Sequence, residues 1–198
     1  MKRTDKIMSL TPRNVAIYIT LFIVVARSFE LIPSGGLERF TAETSSNAFR
    51  VLGFSSRWGV KEGEAYLTLY GSVRDVVVII VRECTAINVF AVFVGLVVPL
   101  YSGLWLRKAI SLAMAGVLLF ILNISRVVLT VALTAFDVPP FSWVFTNPTV
   151  ETYHYPLSFL YGLFGVAILV LIISRWTLPE LEYTLKGIFK VVRGLSRA

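Results

Sequence analysis

Four long apolar stretches alternate with more polar segments along this chain. They cover residues 15–32, 84–101, 109–136 and 156–173. Each falls near the length of about 17–25 residues that a membrane-spanning helix needs. The third is longer than a bilayer requires, so we expect it to tilt or to project from the membrane. The pattern predicts an all-α transmembrane protein, a four-helix membrane bundle that forms one domain over residues 1–198.

Residues 33–52, after the first stretch, change to a helical amphipathic pattern. Pro33, Ser34 and two glycines break the first span. Apolar residues then recur at helical spacing over residues 37–52, and Gly53 is placed to end a helix. This predicts an amphipathic helix that lies on the membrane or on the bundle.

The next segment predicts a β-hairpin. Residues 65–70 alternate in character, Gly71 and Ser72 supply a turn, and residues 76–81 are all β-branched. The β-branched run could instead be an early start of the second span, but Arg82 and Glu83 interrupt it, which favours a strand. Residues 33–83 are therefore predicted to form an extracytoplasmic insertion of one helix and one hairpin.

Composition supports a membrane protein. Of the 198 residues, 56% are hydrophobic and 16% are charged, whereas a soluble domain has about 25% charged residues. This excludes an ordinary soluble domain and a disordered chain. One cysteine excludes an internal disulfide.

The distribution of Lys and Arg predicts the orientation. The segments with a basic excess are the N-terminal tail, the loop between the second and third spans, and the C-terminal tail. They carry Lys2, Arg3, Lys6 and Arg13; Arg107 and Lys108; and Arg175, Lys186, Lys190, Arg193 and Arg197. Basic residues favour the cytoplasmic side. We therefore expect a multi-pass plasma-membrane protein with both termini cytoplasmic. This orientation accounts for the net charge of +7 without nucleic acid. Membrane lipid is the predicted partner, and no nucleic-acid partner is predicted.

The two remaining segments are predicted to face outside. Residues 33–83 hold equal numbers of acidic and basic side chains, and residues 137–155 hold no Lys or Arg. The second of these segments is rich in proline and aromatic residues, which predicts a loop at the headgroup level anchored by Trp143 and Phe145.

Arg126 is a charged residue inside the third span. Such a residue marks a functional site by default, because its burial in the bilayer costs several kcal/mol unless it faces a partner or a cavity. Asn123 shares its helical face. A structural arginine bonded to main-chain carbonyls is the alternative. Arg27 and Glu30, near the outer end of the first span, are predicted to be a structural i, i+3 pair.

Cys84 is predicted to lie where the outside segment enters the second span. A lone cysteine is most often a small buried hydrophobe. Here Glu83 precedes it, which indicates a polar boundary, and the start of a helix favours the thiolate. Asn88, four residues later, would share its face.

His154 is the only histidine in the chain, and it is predicted to stand at the outer mouth of the fourth span, where Pro156 suits a first helical turn. The alternative is an amphipathic interface residue. One histidine and one cysteine do not make a zinc site of about four ligands, so no metal or cofactor is predicted. The topology brings Cys84, Arg126 and His154 to the outer ends of three spans. Together these side chains could act as a thiol nucleophile, an oxyanion binder and a proton shuttle.

These residues resemble the motifs of the exosortase/archaeosortase family. Residues 83–87 (ECTAI) look like its cysteine motif, residues 123–126 (NISR) look like its Asn-x-x-Arg motif, and His154 matches its third position. The resemblance covers about residues 60–170. The family's usual serine and glycine after the cysteine are replaced here by Thr85 and Ala86.

The resemblance implies a membrane-embedded cysteine transpeptidase that acts on the outer face. Its substrates would be secreted proteins with a C-terminal sorting signal, and the acceptor would be a lipid or another amine. Cys84, Arg126 and His154 would be catalytic, with Glu83, Asn88 and Asn123 in support. The alternatives are a non-enzymatic membrane assembly factor or adaptor and, less consistent with four spans lacking inverted repeats, a small transporter.

Overall fold

The computed structural model of the protein describes residues 11–71, 73–100, 104–139, 141–145 and 148–195. The described residues do not include Lys2, Arg3, Lys6, Ser72 and Arg197, nor residue 101 at the end of the predicted second span. The helices are α1 (Pro12–Ser28), α2 (Gly35–Val51), α3 (Ile87–Val97), α4 (Trp105–Ala135), α5 (Phe141–Val144), α6 (Val150–Leu160), α7 (Val166–Trp176) and α8 (Pro179–Leu195), and the strands are β1 (Ser56–Lys61), β2 (Glu64–Leu69) and β3 (Val76–Ile80).

In the described part of the chain, three helical segments are long and apolar enough to cross a membrane: Pro12–Leu31, Trp105–Ala135 and Val150–Trp176. The predicted second span contains α3, which has 11 residues and is about 16 Å long at 1.5 Å per residue. The hydrocarbon core is about 30 Å thick. The four-helix bundle is therefore not confirmed, because a 3-10 turn replaces the first residues of this span.

The helix predicted in the insertion is confirmed as α2, and Gly53 follows it with a φ of 86°. Its buried face is made mainly of small residues that include Ala42 and Ser46, whereas Phe40 and Leu52 from the predicted apolar stripe are more than half exposed. Small residues allow α2 to pack closely on the sheet, and this leaves the larger apolar side chains for the outer surface.

Both predicted strands of the hairpin are confirmed as β2 and β3, which pair antiparallel with Leu67 opposite Val78. β1 was not predicted from the sequence; it pairs with the other edge of β2 and gives the order β1-β2-β3. Glu62 and Gly63 form the turn between them, with φ values of 53° and 91°. A glycine-containing dipeptide between two short runs is typical of a two-residue hairpin turn. Glu62 and Gly63 were therefore the pattern from which β1 could have been predicted.

The final membrane helix begins earlier than predicted. It starts at Val150, because Thr149 and Thr152 form a reciprocal capping box, and Pro156 lies inside it. A π-helical turn at Tyr161–Gly165 joins α6 to α7. His154 therefore lies in the second turn of a helix, and the expectation that it precedes the helix is corrected.

Two apolar clusters pack along α4. The sheet cluster joins α2 and the strands to the C-terminal part of α4 and contains Phe49, Leu67, Ile80, Cys84, Val127, Val131 and Ala135. The helix cluster joins α1, α3, α7 and α8 to the N-terminal part of α4 and contains Tyr18, Val97, Leu119, Leu169 and Leu181. Asn123 and Arg126 lie on the stretch of α4 between the two clusters, at the level where α3 begins.

Close contacts fix α3 beside α1. The Tyr18 hydroxyl donates a hydrogen bond of 2.6 Å to the carbonyl of Leu96. A Cβ added to Gly95 would lie 2.9 Å from the ring of Phe22. The absence of a side chain at Gly95 therefore lets the two helices approach closely. The predicted Arg27–Glu30 pair forms between the last turn of α1 and the 3-10 turn that follows it, with 2.5 Å between the charged atoms.

Lys108 closes the far end of α3. Its ammonium group donates a 3.0 Å hydrogen bond to the carbonyl of Val98 and a second bond to the carbonyl of Leu100, and it lies 4.8 Å from the ring centre of Trp105. These contacts satisfy carbonyls that a helix end leaves without intrahelical partners. Lys108 thereby ties the start of α4 to the end of α3.

Candidate active site

Cys84 lies in a 3-10 turn, Arg82–Thr85, between β3 and α3. Its main-chain N–H donates a 2.8 Å hydrogen bond to the carbonyl of Val81. The Thr85 hydroxyl donates to the carbonyl of Arg82 and closes the same turn. The cysteine side chain is 8% exposed and belongs to the sheet cluster. The turn therefore delivers the thiol from the end of β3 to the side of α4.

Ala86 separates this turn from α3 and adopts the left-handed conformation, with φ at 59°. For a residue with a Cβ, that conformation costs about 1–2 kcal/mol. Ala86 is the position at which the resemblance places a glycine. The left-handed φ supplies the physical reason for that glycine, and here an alanine accepts the strain.

Asn123 supports the cysteine turn from α4. Its side chain is 5% exposed, and its amide nitrogen donates a hydrogen bond to the main-chain carbonyl of Cys84. A buried amide that lost this partner would pay a desolvation penalty of about 1–3 kcal/mol. The bond therefore sets the position of Cys84 relative to α4.

Arg126 lies one helical turn beyond Asn123 and reaches two elements. Its Nη2 donates a 3.2 Å hydrogen bond to the carbonyl of Glu83, and its Nη1 lies 3.5 Å from the hydroxyl of Ser158. Its Nε is buried and has no hydrogen-bond partner among the described residues. The guanidinium therefore lies between the cysteine turn and α6, and its Nε–H is a donor that no described residue accepts.

Ser158 connects Arg126 to the histidine. Its hydroxyl oxygen lies 3.2 Å from Nε2 of His154, one helical turn earlier in α6. Because Arg126 is a donor, the hydroxyl accepts from it and is left to donate its own proton to Nε2. This assigns the ring proton of the neutral imidazole to Nδ1. Ser158 was not predicted from the sequence, although its i+4 spacing from His154 was a usable signal.

The structure thus links the cysteine turn, Arg126, Ser158 and His154 in one chain of polar contacts across three elements. The other predicted residues have different surroundings. Glu83 contributes its main-chain carbonyl, and its side chain is exposed. Asn88 is exposed and accepts a 3.4 Å hydrogen bond from Arg82, which also donates to the carbonyls of Phe29 and Ile32 at the end of the first span.

Burial dominates the electrostatics of the thiol. It raises the pKa of Cys84, whereas a main-chain contact with Val81 and the positive charge of Arg126 act in the opposite direction. The sequence pattern predicted instead that the start of a helix favours the thiolate. The difference arises because α3 begins only at Ile87 and the side chain is packed among apolar residues. Burial therefore favours the protonated thiol.

Among the described residues, no group of three or more His, Cys, Asp or Glu side chains is clustered as metal ligands would be. The described chemistry consists of a thiol, a guanidinium, a hydroxyl and an imidazole.

Comparison with known proteins agrees with the motifs. The model of the transmembrane exosortase family matches residues 8–173, which include both sequence motifs and His154. No curated protein and no solved structure matches the chain significantly. On the match over most of its length, the chain belongs to the transmembrane exosortase family.

Proposed function

We propose that this protein is a membrane-embedded cysteine transpeptidase that cleaves the C-terminal sorting signal of secreted proteins on the outer face of the plasma membrane. The observation that carries the proposal is the polar chain from the cysteine turn through Arg126 and Ser158 to His154. A cysteine that serves only as a packing residue needs no such chain of polar contacts to its turn.

The reaction follows from these side chains. The proton of Cys84 passes to His154, and the thiolate sulfur attacks the scissile carbonyl carbon. The C–N bond then breaks, His154 protonates the leaving amine, and a thioester remains on Cys84. An incoming amine, from a lipid or another donor, gives its proton to His154 and displaces the thiolate to form the new amide. With water as the nucleophile, the same steps amount to hydrolysis.

Arg126 is the proposed oxyanion binder. Arginine keeps its charge at any working pH, and the buried Nε without a described partner is an available donor. Removal of one oxyanion donor typically costs about 100- to 1,000-fold in rate. The bonds from Arg126 to Glu83 and Ser158 would hold the guanidinium in place before the substrate arrives.

The packing of α4 supports a site at the outer membrane boundary. From Trp105 to Asn123 the helix extends about 27 Å at 1.5 Å per residue, close to the bilayer core of about 30 Å. Beyond this level, Val127, Val131 and Ala135 pack against the sheet and α2. The basic residues Arg107 and Lys108 would then lie at the cytoplasmic end, and α3 with its flanking segments would complete a fourth crossing.

The alternative is a non-enzymatic assembly factor or adaptor, in which the buried Cys84 is a packing residue. The two functions differ in one experiment. The substrate is a secreted reporter domain fused to a C-terminal segment of the host's own proteins that end in a short shared motif, an apolar span and a basic tail. The reporter is expressed with the wild type or with Cys84→Ala, and its shift in mass is followed.

We expect Cys84→Ala to abolish processing while the amount of protein in the membrane stays the same. Arg27→Gln is a control for nonspecific effects of a substitution in a span. Arg27 is an exposed arginine in the first span, so this variant should process the reporter normally. Normal processing by Cys84→Ala would remove the cysteine mechanism and leave the adaptor function.

A further inference from the structure

We propose that the outer edge of β3 binds the sorting segment of the substrate as an added β-strand and leads it to Cys84. The outer edge is defined by the main-chain groups of Val77 and Ile79 that point away from β2. This inference rests on the proposed function and names the way in which the substrate would be bound.

The register of the sheet identifies these groups. The two-residue turn at Glu62 and Gly63, with positive φ at both residues, makes Lys61 and Glu64 a hydrogen-bonded pair. Hydrogen-bonded and non-bonded pairs then alternate along the antiparallel strands. The bond from the Tyr70 N–H to the carbonyl of Ser55, at 3.0 Å, fits this alternation.

It follows that the main-chain groups of Ala65, Leu67 and Leu69 point from β2 towards β3. Their partners there are Ile80, Val78 and Val76. The residues between those partners, Val77 and Ile79, therefore direct both N–H and C=O away from β2. No other strand in the described part of the chain pairs with this edge.

The outer edge lacks the features that usually prevent strand addition. Natural edge strands are protected by charged side chains, proline or bulges, whereas β3 is entirely Val and Ile. The side chains of Val77 and Ile79 are 63% and 51% exposed. The opposite edge, on β1, is treated differently: Arg50 donates two 3.3 Å hydrogen bonds to the carbonyl of Ser56, and Arg57 and Lys61 lie along that strand.

The outer edge is continuous with the candidate active site. β3 ends at Ile80, and the carbonyl of the next residue, Val81, accepts the N–H of Cys84. A peptide paired along β3 would therefore arrive beside the cysteine turn. Strand addition supplies affinity through main-chain bonds and specificity through alternate side chains. Because the exposed side chains of β3 are apolar, the occupant should be an extended peptide with apolar residues at alternate positions on that face.

Proline substitutions test this edge. Ile79→Pro removes an N–H that points away from β2, a position at which an edge strand tolerates proline. Val60→Pro is the matched control, because Val60 lies opposite Ala65 in a non-bonded pair and its N–H points to the outer side of β1. We expect Ile79→Pro to reduce reporter processing at least tenfold and Val60→Pro to leave it near the wild-type rate. The rate at which N-ethylmaleimide labels Cys84 should stay the same in both variants.

The outcomes separate the two proposals. Normal processing by Ile79→Pro would overturn strand addition, while a dead Cys84→Ala would still support the transpeptidase. If Cys84→Ala processes the reporter normally, the proposed function is wrong, and strand addition, which rests on it, is wrong with it.

A second measurement covers a variant that folds poorly. In the Cys84→Ala protein, Ile79→Cys is oxidatively cross-linked to single cysteines placed in turn along the reporter's sorting segment. Cross-linking at every second position supports a paired strand. Equal cross-linking at every position, or no cross-linking at any position, would contradict it.

Discussion

Asn123 and Cys84 are joined by a hydrogen bond from the side-chain amide of the asparagine to the main-chain carbonyl of the cysteine. The bond connects α4 to the 3-10 turn at the level between the two apolar clusters. The bond fixes the main chain of the cysteine and does not involve its thiol. We therefore propose that Asn123 positions the cysteine turn.

Asn123→Asp should damage both stability and processing. The substitution places a carboxylate oxygen against a carbonyl oxygen, so the buried bond is lost and repulsion replaces it. A loss of about 1–3 kcal/mol in the free energy of unfolding is expected, with processing reduced at least tenfold. Denaturation in detergent and the reporter assay measure the two effects. Asn88→Asp, at an exposed position, is the control and should change little; equal effects at both sites would contradict the role of Asn123.

Ser158→Ala should separate Arg126 from His154. The hydroxyl is the shared partner of the guanidinium and of Nε2, so its loss frees the imidazole to rotate. We expect a fall of about tenfold in turnover, a change in the pH profile of processing, and partial recovery in Ser158→Thr. Ser125→Ala is the matched control, because that exposed hydroxyl bonds only to the carbonyl of Leu122 in its own helix. An unchanged pH profile would leave Ser158 as a packing residue.

The pH dependence of thiol alkylation should report on Arg126. Burial raises the pKa of Cys84, and the charge of Arg126 opposes this rise. The thiolate fraction therefore grows as pH increases through the raised pKa, and labelling of the wild type should be slow at pH 7 and fast well above the ordinary thiol value of about 8.5. Arg126→Gln removes the opposing charge, so its profile should move to higher pH.

Two further variants refine that measurement. Arg126→Lys keeps a charge but lacks the fork of donors, so it should keep the profile near that of the wild type and still lose most processing. His154→Ala should lose processing without moving the profile, because Arg126 is the cation that acts on the thiol. A shift in His154→Ala alone would make the histidine the group that activates the thiol.

The orientation predicted from Lys and Arg is testable at Ser56. A short epitope tag there should be accessible from outside the cell, and tags at both termini should be accessible only from inside. The reason is the basic excess of the tails and of the Arg107–Lys108 segment. Four crossings require that the segment containing α3 traverse the bilayer despite its short helix. Exposure of the two termini on opposite sides would instead support three crossings.

Residue patterns predicted much of this architecture because they depend on local periodicity. The β-branched run became β3, and the spacing after Gly36 became α2. The patterns failed where the outcome depends on a short-range hydrogen bond. Thr149 and Thr152 cap a helix that begins at Val150, six residues before the proline that seemed to begin it.

Part of the candidate site could be picked out from residue types alone. Single Cys and His residues and a membrane-embedded Arg stand out by chemistry, whereas serine is common and Ser158 does not. Its role depends on the distance between α4 and α6, which no local pattern contains. The raised pKa of Cys84 likewise follows from tertiary burial beneath the sheet.

Ala86→Gly should stabilise the protein, although most replacements of alanine by glycine do the opposite. At a φ of 59°, the alanine methyl group costs about 1–2 kcal/mol in the folded state. Glycine removes that strain, and its greater freedom in the unfolded chain costs about 0.4–1 kcal/mol. The net gain is about 0.5–1 kcal/mol, or a rise of about 1–4 °C in melting temperature for a chain of this size.

The matched control for Ala86→Gly is Ala91→Gly, one turn into α3, where the alanine is helical and buried. There glycine should destabilise the protein by about 1 kcal/mol. Both variants are melted in the same detergent at the same heating rate, and opposite signs are expected. Because the left-handed residue joins the cysteine turn to α3, a destabilised Ala86→Gly would mean that this turn does not carry the strain assigned to it.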